Sequence, residues 1–193
     1  MQHKGMVTTE VVTTVLGEGI EYRKGEFIMK PALLVIDVQK EFFKSDAQTA
    51  QSLNGAIEYI NAAIALFRAK NLPIFCVQHI DEEDKLIPGV KGFDLPEGLQ
   101  ILPTDGSIHK TYSNAFNKTE LQSKLNELDV DTVIISGFSA EFCVLSTYRG
   151  AKDLDLTPIL LRGALASGNP KNIKFVESIS DIISYGALKK ILG

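Results

Sequence analysis

An aspartate, a lysine and a cysteine, a set that can open a carbonyl bond, each stand where an apolar run gives way to polar residues. Asp37 ends the run from Ala32 to Ile36, Lys110 follows Ser107, Ile108 and His109, and Cys143 comes shortly after Gly137 closes the run from Val133. Cys143 opens what reads as a helix over 142–154, and a helix N-terminus favours thiolate over thiol. A thiolate there is a nucleophile at the edge of a sheet; the competing reading is a small buried hydrophobe. Alone, Asp37 reads as a cap or an acceptor for loop amides, and Lys110 as a solvated loop lysine. Together the three make chemical sense. A carboxylate can take the thiol proton, and an ammonium can stabilise the thiolate and hold the carboxylate. Backbone N–H groups at the strand-to-helix turn, those of Ser139 and Cys143, are natural donors to the oxyanion of a tetrahedral intermediate.

The elements that must position these groups follow from the hydrophobic pattern. Residues 31–38 (PALLVIDV) read as a strand buried on both faces. Leu53, Ile57, Ile60, Ile64 and Phe67 recur at helical spacing over 52–69, and Asn71, Leu72 and Pro73 stop that helix. Residues 73–78 read as a second strand, 107–110 as a short one, 119–128 as a helix and 131–136 as another strand. Residues 156–161 follow as a strand in which Pro158 argues mildly against a central position. Residues 173–183 and 185–192 read as helices, and 81–107, rich in Asp, Gly and Pro, as loop. Strands alternating with helices predict an α/β fold with a mostly parallel sheet, whose ligands bind outside the carboxyl ends of its strands. Residues 1–28 stand apart as an N-terminal extension, either a β-hairpin or a disordered leader, with the main domain over 29–193.

With 193 residues and a net charge of −4, the chain is long enough for a real core and is a poor candidate for nucleic-acid or anionic-membrane binding. No apolar run can span a bilayer, and the first residues lack the apolar stretch of a secretory signal. Two cysteines make no disulfide framework, so a cytoplasmic setting is expected. No glycine-rich phosphate-binding fingerprint is present, and no cofactor is expected.

Three segments carry a family resemblance: ALLVIDVQKEFF, IHKTYSNAFNKTEL and VIISGFSAEFCVLSTYRGAKDLDLTPILL. In this order they resemble the isochorismatase-like cysteine hydrolase superfamily, which includes nicotinamidases, N-carbamoylsarcosine amidases and isochorismatases. The resemblance implies a three-layer αβα, Rossmann-like architecture with a six-stranded, mostly parallel sheet and helices on both faces. It implies Asp37 as general base, Lys110 as electrostatic support, Cys143 as nucleophile, and a cis peptide between Phe138 and Ser139. The implied activity is hydrolysis of a small amide or related C–N bond; vinyl ether hydrolysis and an inactive scaffold are the alternatives. Phe42 walls the substrate site by resemblance, or packs the first helix; Tyr112 and Phe116 flank the lysine loop as candidate substrate contacts. A homo-oligomer, dimer or tetramer, acting on a small-molecule substrate is also implied. Two positions depart from the pattern. Ala140 replaces the usual turn threonine, and the Asp–x–His metal ligands of nicotinamidases are missing, since residues 44–53 hold Asp46 but no histidine. No catalytic metal is therefore expected.

Overall fold

The computed structural model describes residues 29–193; the extension over 1–28, with its expected hairpin, lies outside them. Six strands form one sheet: β1 (Pro31–Ile36), β2 (Ile74–His79), β3 (Gly106–Lys110), β4 (Thr132–Gly137), β5 (Thr157–Leu165) and β6 (Ile182–Ile183). Their order is β3-β2-β1-β4-β5-β6, and every pairing is parallel. The helices are α1 (Ala47–Ala69), α2 (Leu121–Glu127), α3 (Leu145–Asp153), α4 (Pro170–Ser178) and α5 (Tyr185–Ile191).

All six residues of β1 are buried, which is why its sequence is continuously apolar. Alternate side chains serve opposite faces. Ala32, Leu34 and Ile36 pack with Leu121 and Leu125 of α2, Tyr148 of α3 and Val176 of α4. Leu33 and Val35 pack with Leu53, Ile60, Ile64 and Phe67 of α1 and Leu188 of α5. The result is the expected three-layer arrangement. Among the described residues, no helix is long and apolar enough to cross a membrane.

The boundaries differ from the sequence reading in instructive places. Helix α1 begins at Ala47, because Asp46 caps it, accepting from the Thr49 N–H at 2.8 Å and the Thr49 hydroxyl at 2.8 Å. The segment over 173–183 is not one helix. Helix α4 ends at Ser178, and Ile182–Ile183 becomes β6, paired with Leu160 and Leu161. The outer edge of β5 needs partners there, and Leu160 N–H donates to Asp181 O at 2.8 Å. Asp181 is itself fixed by Tyr148, whose hydroxyl donates to its carboxylate at 2.7 Å. Pro158 fits β5 without cost. Thr157 N–H points to β4, donating to Asp131 O at 2.8 Å, so the missing N–H of Pro158 faces the other side, before β6 begins.

Topology decides where chemistry can sit. From β1 the chain winds to β2 and β3 on one side, and from β4 to β5 and β6 on the other, so the order reverses between β1 and β4. The carboxyl ends of β1 and β4 meet there. Gly137, at φ +117°, lets them approach: a Cβ at that position would lie 2.0 Å from Ile36 O. Gly137→Ala is therefore expected to destabilise the fold by more than about 1 kcal/mol. A urea midpoint unchanged from wild type would show that the β1–β4 contact yields freely.

Candidate active site

Asp37 immediately follows β1 and leaves the strand with φ 52°, a region where aspartate is among the commoner non-glycine residues. Its N–H donates to Val77 O at 2.8 Å, tying the end of β1 to β2. Lys110 is the last residue of β3, two strands away, and its side chain reaches back across the end of β2. Its Nζ lies 2.7 Å from Asp37 Oδ2, with both side chains almost wholly buried, and 3.3 Å from Cys143 Sγ. A third neighbour is His79, the last residue of β2 and in register with Lys110, whose Nδ1 is 3.3 Å from the ammonium. Asp37 Oδ1 is buried and has no hydrogen-bond partner among the described residues.

The buried setting controls protonation. Burial raises the Asp37 carboxyl above its ordinary value of 3.8, with the Lys110 charge and hydrogen bond working against it. Burial, then the Asp37 charge, pushes the Cys143 thiol up to about 12, again against the pull of Lys110. The thiolate expected from a helix N-terminus is thus not the resting state. Cys143 lies in a π turn, Ala140–Val144, ahead of α3 rather than in the first turn of that helix, and burial is the largest influence on its thiol. A thiol held this way needs a base, and the unoccupied Oδ1 of Asp37 can serve.

The turn carrying Cys143 is tied down on several sides. The peptide between Phe138 and Ser139 is cis. Ala140 N–H donates to Ala166 O and Ala166 N–H to Gly137 O, both at 2.9 Å. Ala140 is fully buried, so the position where the resemblance leads one to expect a threonine holds a packed methyl. Glu141 collects three donors: the Ser139 hydroxyl at 2.6 Å, the Ser167 hydroxyl at 2.9 Å, and the side-chain amide of Asn172. Burial opposes its charge, but these bonds outweigh it and hold the Glu141 carboxyl below 4.5. Ser139 N–H has no partner among the described residues, which leaves it available to a ligand.

The structure brings Asp37, Lys110 and Cys143 into one cluster, and adds His79 to it. The Phe42 ring packs on Phe138 at 5.0 Å between centroids, beside the cis peptide. Phe116, like Cys143, is half-buried and packs on the α2–α3 side of the core. Tyr112 is exposed and accepts from Lys118 Nζ at 2.9 Å. Gln39 is wholly buried and clamps the backbone of His79, accepting from its N–H at 2.7 Å and donating to its carbonyl at 3.0 Å. Ser167 and Asn172 carry no motif that would have marked them in the sequence. His79 stands at a predicted strand end, but only the β2–β3 register makes Lys110 its neighbour.

Asp37, His79 and Cys143 are also the one set of converging metal-type donors among the described residues. The Lys110 ammonium stands among them, so a fixed cation already fills the place an ion would need. A groove lined by Leu72, Phe75, Asp105, Gly106, Lys124 and Leu128 opens at the amino ends of β2 and β3, the opposite end of the sheet from Cys143, where parallel sheets do not place their chemistry.

Residues 31–176 match the isochorismatase domain family. This chain belongs to that family. An uncharacterized isochorismatase family protein of Bacillus subtilis, YddQ, is 30% identical over 126 residues, covering 64% of this chain and 70% of its own length. Nicotinamidase 3 of Arabidopsis thaliana is 27% identical over 135 residues, 62% of this chain and 65% of its own. An isochorismatase family protein of known structure superposes with a TM-score of 0.73 at 33% identity, covering 80% of this chain and 98% of that one. N-carbamoylsarcosine amidase from Thermoplasma acidophilum shares the fold at a TM-score of 0.71 and 22% identity, over 81% and 97% of the two chains. These isochorismatase-type relatives include named hydrolases, and also a probable inactive nicotinamidase of A. thaliana, 27% identical over 161 residues, 72% of this chain and 82% of its own.

Proposed function

We propose that this chain is a metal-independent cysteine hydrolase that cleaves a small amide or related C–N bond. One observation carries the reading: Lys110 Nζ bridges Asp37 Oδ2 and Cys143 Sγ in a buried cluster that leaves Asp37 Oδ1 free. Asp37 Oδ1 takes the thiol proton as sulfur attacks the carbonyl carbon. Lys110 steadies the sulfur and the carboxylate through the transfer. The oxyanion collects at the Ser139 and Cys143 amides. The C–N bond then breaks, the nitrogen leaves with the proton held by Asp37, and a thioester on Cys143 remains. Asp37, ionised again, removes a proton from water as water attacks the thioester. The acid departs and the thiol recovers its proton. Phe42, Tyr112 and Phe116 are proposed as walls and rim of the substrate site. The intact cluster favours this reading over vinyl ether hydrolysis or an inactive scaffold.

The test is a panel of small amides and ureides, with intact-mass detection of a covalent adduct. Hydrolysis of at least one member, with the acyl mass on the peptide containing Cys143, is the expected result. The acid limb of kcat/KM should fall above pH 3.8, because Asp37 works ionised and its pKa is raised. Turnover with no adduct at any time, and none on quenching, would exclude the covalent route.

A further inference from the structure

We propose that His79 is a positioning residue for Lys110: a neutral imidazole, protonated on Nε2, whose Nδ1 accepts the third proton of the ammonium. An ammonium has three donors and no acceptor. Around Lys110 Nζ stand three acceptors, Asp37 Oδ2 at 2.7 Å, Cys143 Sγ at 3.3 Å and His79 Nδ1 at 3.3 Å. A proton on Nδ1 would face the ammonium directly, so the bond requires the Nε2–H tautomer. With all three acceptors in place the ammonium has one orientation, and that orientation sets its distance to sulfur.

His79 is held for this task. The buried Gln39 carboxamide bonds both its N–H and its carbonyl, and Gln39 lies two residues beyond Asp37. The backbone that carries the ring is thereby fixed relative to the carboxylate, and the contact with Lys110 then sets the ring. His109, the other histidine beside Lys110, is engaged elsewhere, its ring packing edge-on with Phe93 at 5.2 Å.

The arrangement confers a pH dependence separate from that of Asp37. The charged and titratable groups facing His79 are Lys110 from β3, Asp37 from the end of β1, the Cys143 thiol from the π turn, and Asp81 from its own turn. Burial and then the Lys110 charge hold the imidazolium below the ordinary 6.5, while Asp37 and Asp81 pull the other way. Below that titration His79 can no longer accept, and two cations face each other at the same contact. Lys110 then loses one of its three tethers, and Cys143 reactivity falls.

The inference rests on the proposed roles of Asp37, Lys110 and Cys143, but its deciding readouts are the His79 tautomer and the alkylation of Cys143 rather than hydrolysis. The full chain, labelled with 15N-histidine, is titrated by NMR; its three histidines are His3, His79 and His109, and His79→Asn assigns the resonance. The Nε2–H tautomer at pH 8, with a midpoint below 6.5, is expected. In parallel, iodoacetamide modification of Cys143 is followed by peptide mass across pH. His79→Asn, whose side-chain carbonyl can stand in for Nδ1, should keep the rate within about threefold and lose the acid-side step; His79→Leu should slow modification about tenfold or more. A wild-type Nδ1–H tautomer overturns the inference, even if His79→Leu fails to fold. A folded His79→Leu that reacts like wild type overturns it equally. If Cys143→Ala abolishes turnover while either result is found, only the role of His79 falls.

Discussion

Cys143→Ala is expected to lose turnover by about a millionfold, and Asp37→Asn by about a thousandfold with a changed pH profile. The two losses differ because the residues fail in different ways. Without sulfur there is no covalent route at all. Without the carboxylate the nucleophile remains but has no base. A thiol at about 12 is ionised in about one molecule in 10⁵ at pH 7, five units below. Removing Asp37 softens that figure, since its charge is itself one cause of the raised thiol. The residual Asp37→Asn rate should therefore climb about tenfold per pH unit across the neutral range, as hydroxide replaces the missing base. The measurement is kcat/KM against pH on whichever amide the panel identifies. A flat Asp37→Asn profile at near wild-type rate would assign the base elsewhere.

The second large effect is on folding. Lys110→Met strands the Asp37 carboxylate, which is 1% exposed, and should cost about 3–5 kcal/mol. The sign with pH follows from the raised carboxyl. Asp37 titrates higher in the folded chain than its ordinary 3.8, so its contribution to stability is present in full below pH 3.8 and is lost as pH rises through the folded value. Removing Lys110 raises that folded value further and deepens the loss, so Lys110→Met should be markedly less stable at pH 8 than at pH 4.5. The double variant Asp37→Asn/Lys110→Met removes both charges together. It should return to within about 1 kcal/mol of wild type or exceed it, because a buried ion pair seldom outperforms neutral packing. Urea denaturation of the three proteins at both pH values decides the matter. A double variant as unstable as Lys110→Met would mean that Lys110 holds the fold through something other than its charge.

Much of this was legible in the chain because burial writes itself into composition. Strands β1 and β4 are buried throughout, and their runs of Ala, Leu, Val and Ile admit no other reading. Asp37 and Lys110 stood out because they stand at the carboxyl ends of β1 and β3, and parallel sheets place chemistry at that end. What escaped was set by tertiary partners. Two residues, Ile182 and Ile183, form β6 because β5 has an edge to satisfy, while their local pattern suits a helix. The anchoring of the Cys143 turn by Glu141, Ser167 and Asn172 joins positions that no local spacing relates. The raised thiol escaped for a similar reason: the helix-end argument is local, whereas desolvation depends on everything packed around the sulfur.

The lysine that completes the cluster comes from β3, an outermost strand of the sheet, and meets an aspartate 73 residues and a cysteine 33 residues away in sequence. No fragment shorter than residues 37–143 holds all three. Until β3 has docked along β2, Cys143 is an ordinary thiol without its ammonium. If β3 frays from a finished molecule, Cys143 loses its ammonium before the central strands separate. The Lys110–Cys143 contact is thus conditional on an outer strand being docked, which couples the proposed chemistry to the packing of β3 against β2.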